Sequence, residues 1–124
     1  MATGVAAPRA RGQRYEAAAE AWLQEQGLQP LARNFTSRGG ELDLVMREGD
    51  TLVFVEVRFR KSDRFGSPVE SVTFSKQQKL LRTAQLYLLA HPQWRAHPCR
   101  FDIIAARPGE CGLQFEWIKN AFGA

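Results

Sequence analysis

Cysteine is scarce in this chain. Two occur among 124 residues, Cys99 and Cys111, and they form neither a CxxC pair nor a zinc ligand set. They can be neighbours on adjacent strands, but with no export signal two reduced thiols are the expectation. Long hydrophobic runs are also missing. No window approaches 18 apolar residues, so no membrane span is expected. Residues 1–9 lack a charged region followed by an apolar run, which argues against a signal peptide and makes cytoplasmic the default. Two histidines, His91 and His97, lie six residues apart with no carboxylate or cysteine spacing to complete a metal set, so a structural role is expected for both. Internal repeats, low-complexity tracts and linkers are absent. One domain over residues 10–124 is therefore expected, behind a small, unpatterned tail at 1–9.

What is present is ordinary for a globular chain, at 44% hydrophobic and 24% charged residues. The net charge of +4 tilts the protein moderately toward polyanions such as nucleic acid.

The organising stretch is Gly39–Met46 followed by Thr51–Arg60. Both segments read as strands, rich in Val, Leu and Phe and bounded by turn residues. Gly49-Asp50 suits a two-residue hairpin loop with Gly at its first central position. Glu48 then faces Thr51, and counting outward sets Asp43 across from Glu56 and Glu41 across from Arg58. Opposed side chains sit about 5 Å apart at Cβ, where like charges destabilise a sheet. A divalent cation such as Mg²⁺ or Mn²⁺ would remove the conflict, being held by one or two carboxylates plus waters and phosphates. The alternative is a Glu41–Arg58 salt bridge with the other two acids solvated on an open face.

Residues 11–27 predict a first helix with Tyr15, Ala19, Trp22 and Leu23 as its apolar stripe and Gly27 as its stop. Glu16 lies seven residues before Leu23, at the margin of that stripe, where its carboxylate can reach a sheet face or remain a surface charge. Glu20 and Glu25 read as solvent-facing. Pro30–Phe35 predicts a short strand leading into a loop. Arg33, Asn34 and Arg38 there can contact phosphates or belong to a solvated turn.

Beyond the hairpin, Arg58, Arg60, Lys61 and Arg64 cluster, a pattern that suits a phosphodiester held between a metal and cations as well as a solvated face. Ser62–Pro68 reads as a loop. A second helix is expected from Phe74 or Ser75 to Ala90, with Leu80, Leu81, Ala84, Tyr87 and Leu88 as its apolar stripe. Its basic flank, Lys76, Lys79 and Arg82, can track a nucleic-acid backbone. Lys76 stands at the helix start, where an anion is favoured. Strands follow at Arg100–Ala106 and Leu113–Ile118 around a turn at Pro108–Glu110, the last strand being the more exposed. Asp102 reads as a buried acid. The order predicts an α/β fold, a mixed central sheet flanked by helices.

Glu16, Asp43 and Glu56-Val57-Arg58 together resemble the PD-(D/E)XK nuclease superfamily, with its restriction-endonuclease-like core. More closely, Arg33-Asn34-Phe35, Gly40–Leu44, Val53–Arg58, Phe65–Pro68, Lys76 and Arg100–Asp102 resemble the YraN-like family of bacterial proteins over most of residues 11–120. The resemblance implies that Asp43 and Glu56 bind Mg²⁺ or Mn²⁺, with the Val57 carbonyl as a further ligand and Glu16 assisting. It implies a metal-dependent endonuclease hydrolysing DNA phosphodiesters, branched or single-stranded. From their charge and position, Arg33, Asn34, Arg38, Arg60, Lys76 and Lys79 are the expected nucleic-acid contacts. Arg58 stands where the superfamily has lysine. It keeps the charge but cannot act as a base, so a nucleic-acid-binding module with little cleavage is the competing expectation. The oligomeric state is left open, a homodimer included.

Overall fold

The computed structural model describes residues 8–61 and 67–123. Helix α1 spans Pro8–Glu25, followed by strands β1 (Gln29–Ser37), β2 (Gly40–Glu48) and β3 (Thr51–Phe59). Helix α2 (Phe74–Ala90), a short 3₁₀ turn at Pro92–Trp94, and strands β4 (Cys99–Gly109) and β5 (Gly112–Phe122) complete the order. The five strands lie side by side in chain order. Only β3 and β4 run parallel, and the connection between them carries α2; the other neighbours are antiparallel. The mixed, helix-flanked sheet is thus present and is compatible with an α/β nuclease-like core.

Helix α1 starts three residues before its expected start and two residues inside the expected tail, because proline is tolerated in a first helical turn. It ends in paired bonds, Gly27 N–H to Gln24 O at 3.0 Å and Leu28 N–H to Leu23 O at 3.1 Å, which satisfy its last carbonyls. Residues 1–7, most of the expected tail, lie outside the described residues. So do residues 62–66, and with them Arg64 and most of the expected loop. Helix α2 takes the expected bounds and buries Leu80, Thr83, Ala84 and Tyr87.

The two helices cover opposite faces of the sheet. Leu52, Phe54, Phe101 and Ile103 pack with Leu80, Ala84 and Tyr87 of α2. Val53, Val55 and Ile104 pack with Ala19 and Leu23 of α1. Strand β3 is covered on both sides, which is why it reads as a nearly unbroken apolar run.

Gly49, at φ +60, makes the two-residue loop between β2 and β3, and pairing runs from Glu48↔Thr51 to Leu44↔Val55. The expected register is therefore present, but the paired ladder stops before Glu41 can meet Arg58. Glu41 pairs instead with Thr36 of β1 and accepts its hydroxyl at 3.4 Å. The physical reason is a break in alternation: Leu44 lies in the α1-side core and Leu42 in the α2-side core, whereas residues two apart in a regular strand share a face.

The expected turn at Pro108–Glu110 moves outward, since β4 continues to Gly109, opposite Gly112. Strand β3 has ended by then, and its last backbone bond runs from Arg60 N–H to Ala106 O at 2.8 Å. Pro108 therefore lies in a stretch of β4 with β5 as its only strand neighbour among the described residues, where a missing N–H is tolerated. Cys99 and Cys111 are free and exposed, at the start of β4 and just past its end rather than adjacent. Both histidines serve the fold. His91 Nδ1 lies 2.9 Å from Tyr87 O, and His97 Nδ1 lies 2.8 Å from Asp50 O.

Asp102 is fully buried and fully engaged. Arg100 Nε donates to it at 2.9 Å, Trp117 Nε1 at 2.9 Å and the Asn120 N–H at 2.9 Å. Arg100 also reaches Glu48 at 2.8 Å, so one carboxylate ties β2, β4 and β5 together. Replacing it leaves two N–H donors and one edge of the Arg100 guanidinium without an acceptor. Asp102→Ala is expected to lose about 3–5 kcal/mol in urea unfolding; a loss below about 1 kcal/mol would remove Asp102 from this role.

Candidate metal centre

Asp43 stands where β2 leaves β3. Its Oδ2 accepts the Val57 N–H at 2.9 Å, so a side chain takes the donor that the next rung of a regular ladder would engage. A carboxylate built into the sheet in this way cannot swing out to solvent without orphaning a backbone N–H.

Two more acids converge on it. One oxygen each from Glu16, Glu41 and Asp43 lie within 4.8 Å of one another. Glu16 arrives from α1 and is 8% exposed; its Oε1 is buried without a hydrogen-bond partner. Burial, then the Asp43 and Glu41 charges, push the Glu16 carboxyl up to about 8, while the Asn34 amide opposes the shift. Glu56, 4% exposed on β3, is likewise raised to about 8 by burial and by Asp43, against the pull of Lys76 and Arg58.

Glu56, expected to share a cation directly with Asp43, is not one of the three converging acids. Its Oε2 is occupied by Arg58 Nη1 at 3.3 Å and Lys76 Nζ at 3.4 Å. It stands beside the three and is influenced by Asp43, at a point past Val55 where its strand is no longer paired residue for residue with β2.

The other expected site residues divide. Lys76 is on the first turn of α2, where the Thr73 hydroxyl caps its N–H at 3.2 Å. It lines a cleft of about 160 Å³ with Gly40, Glu41, Asp43, Lys79 and Leu80. Gly40 permits the close approach of α2, since a Cβ there would sit 3.1 Å from Thr83 Oγ1. Arg58 is beside the centre but held: Nε donates to Ser71 Oγ at 3.2 Å and Nη2 to the Ser71 carbonyl.

Arg33 is paired with helix α1. Its Nη2 meets Glu20 Oε1 of α1 at 3.2 Å, and Glu20, expected in solvent, has only 13% of its side chain exposed. Asn34 lies within β1, as the expected strand over Pro30–Phe35 has it, and near Glu16. Arg38 is exposed in the turn between β1 and β2, and Arg60 follows the end of β3.

Sequence reasoning missed Glu41 as a member of the acidic group, Glu20 as a partner for Arg33, and Ser71 as the holder of Arg58. The spacing of Glu20, four residues after Glu16 on one helix face, was a usable signal. Nothing local marks Ser71, which lies thirteen residues beyond Arg58.

The donor set suits a hard divalent cation, being all oxygen and anionic. Crowded carboxyls with raised pKa values and an unsatisfied buried oxygen are what such an ion would relieve.

Without metal, both Glu16 and Glu56 go from an ordinary 4.5 to about 8 on folding. The folded state holds their protons more tightly, so the unfolded state ionises first as pH rises. The stability present below pH 4.5 is therefore lost between pH 4.5 and about 8. Melting of metal-free protein across that window is expected to show a falling Tm, flattened in Glu56→Gln. A Tm that climbs through it in both proteins would mean that neither carboxyl is held protonated.

Relatives match the sequence along nearly the full chain. A UPF0102 protein of Xanthomonas campestris pv. campestris is 54% identical over 117 residues, covering 94% of each chain. One of Stutzerimonas stutzeri is 52% identical over 112 residues, covering 90% of this chain and 92% of its own. A third, of Pseudomonas putida, is 48% identical over 118 residues, covering 94% and 96%. The family model matches residues 15–106, a span containing all four acids of the site, and the chain belongs to the uncharacterised protein family UPF0102.

Proposed function

We propose that this protein is a Mg²⁺- or Mn²⁺-dependent endonuclease that hydrolyses DNA phosphodiesters, its metal held by Asp43 with Glu16 and Glu41 and bordered by Glu56. The observation that carries the reading is the convergence of three carboxylate oxygens within 4.8 Å at the mouth of a cleft also lined by Lys76 and Lys79. Anionic ligands on one side and ammonium groups on the other match what a phosphodiester needs. The order of Glu16, Asp43 and Glu56-Val57-Arg58 resembles the PD-(D/E)XK superfamily, and the wider set of motifs resembles the YraN-like proteins. That likeness supports the same reaction class.

A cation bound there supplies a water of lowered pKa and polarises the phosphoryl oxygens. The remaining work falls to the chain. Asp43 is anchored by the Val57 N–H and presents a fixed oxygen. Lys76, set by the Thr73 cap, supplies positive charge beside Glu56 and along the cleft wall. Arg58 stays protonated and gives charge, not base chemistry. Lys79 on the cleft wall and exposed Arg38 are suited to neighbouring phosphates, which orients the strand without reading its bases.

One observation favours the competing reading of a binding module with little cleavage. The guanidinium of Arg58 is committed to Ser71 and Glu56, and the strand offers no lysine at that position.

Calorimetric Mn²⁺ titration of the wild type and Asp43→Asn separates site from no site: heat is expected only in the wild type, and none in either would end the metal assignment. Supercoiled, single-stranded and four-way DNA incubated with Mn²⁺ then tests the reaction. Cleavage that Glu56→Ala reduces about 100-fold or more is expected. Salt-sensitive binding without cutting would favour the binding module, and cutting that persists in the mutant would point to a contaminant.

A further inference from the structure

Asn34 is one of two non-glycine residues with positive φ among those described, at +58°. A left-handed backbone is uncommon inside a strand, and asparagine is among the few side chains that tolerate it. Its surroundings show what the conformation does. Strands β1 and β2 pair as Arg33↔Leu44 and Phe35↔Leu42, so Asn34 and Asp43 stand opposite each other between those rungs. On one side of that position, Arg33 reaches Glu20 of α1 and Leu44 packs in the α1-side core. On the other, Phe35 stacks edge-on against Tyr87 of α2 at 5.1 Å and Leu42 packs in the α2-side core. Both strands turn over together at one rung.

The turnover puts Asp43 in the plane of the sheet instead of on either face. There it can take the Val57 N–H from one side and stand beside Glu16 of α1 as well as Glu56, whose partner Lys76 comes from α2. A regular strand would give Asp43 to one helix only. The side chain of the same Asn34 is near enough to the Glu16 carboxylate to favour its charged form, and Oε1 of that carboxylate is buried and without a partner.

We infer that Asn34 is a positioning residue for the metal centre: its left-handed backbone turns the β1–β2 hairpin over so that Asp43 faces both helices, and its amide orients Glu16 toward Asp43. This rests on the metal reading above for the amide half alone, since the backbone half concerns the fold. It also replaces the expectation that Asn34 touches a phosphate.

Two substitutions separate the halves. Asn34→Gly accepts positive φ but has no amide, whereas Asn34→Ala has no amide and resists positive φ. Thermal melts are expected to rank Asn34→Gly above Asn34→Ala, the reverse of the usual order inside a strand. Alanine melting at or above glycine would overturn the backbone half. Calorimetry is expected to show Asn34→Gly, still folded, binding Mn²⁺ about tenfold more weakly than wild type, the scale of lost support around a metal ligand. Unchanged affinity in that variant would overturn the amide half. Wild-type protein that binds no Mn²⁺ would sink the metal reading and the amide half with it, while the melting order would still decide the backbone half.

Discussion

The structure depends on a carboxylate that serves as a rung of a β-ladder. Asp43 must offer an oxygen to the Val57 N–H, because that donor is inside the sheet and an orphaned backbone group is costly. The acid is therefore pinned, and its neighbours have to adjust to it. Glu16 and Glu56 respond by holding protons far above the usual carboxylate range. Glu56 gains two cations, Arg58 and Lys76. Glu16 has only the opposing influence of the nearby Asn34 amide, and its Oε1 is buried without a partner. Positive charge is thus supplied on the α2 side of Asp43, and the need for it persists on the α1 side.

Helix α2 does two jobs through one periodicity. Leu80, Ala84 and Tyr87 bury one stripe against the sheet, while Lys76 and Lys79 open onto the cleft. Placing both on one helix sets the height of the ammonium groups by core packing, and Gly40 sets how near they come. A loop could carry the same charges but not at a defined distance from Glu56.

Much of this was readable from residue order. Gly49-Asp50 between two apolar runs gave the hairpin register down to Leu44↔Val55, since turn chemistry counts residues outward without reference to the rest of the fold. The bounds of α2 followed from its apolar spacing, and the approach of Glu16 to the sheet followed from its place on the buried stripe. The recruitment of Glu41 did not, because alternation assumes a regular strand and Asn34 breaks that regularity from the neighbouring chain segment. Nor did the pairing of Arg33 with Glu20, which requires knowing which way β1 has turned. The hold of Ser71 on Arg58 links residues thirteen apart, and a contact from a strand to an irregular segment leaves no periodic trace. Acids on regular elements were legible, and the irregular rung that gathers them was not.

The chain contains two answers to a carboxylate inside a sheet, and their difference bears on function. At Asp102 an arginine, an indole and a backbone N–H surround the acid, and the last donor belongs to Asn120, the other non-glycine residue with left-handed φ among those described. That acid is satisfied by the fold and has no use for a ligand. At Asp43 the same device, a left-handed asparagine opposite a strand acid, gathers further carboxylates instead of donors. A fold shaped by stability alone would repeat the first solution, because unpaired buried acids cost more than apolar replacements. Retaining the second beside a cleft lined with lysines leaves a local conflict that a cation would resolve, and such conflicts concentrate at functional sites.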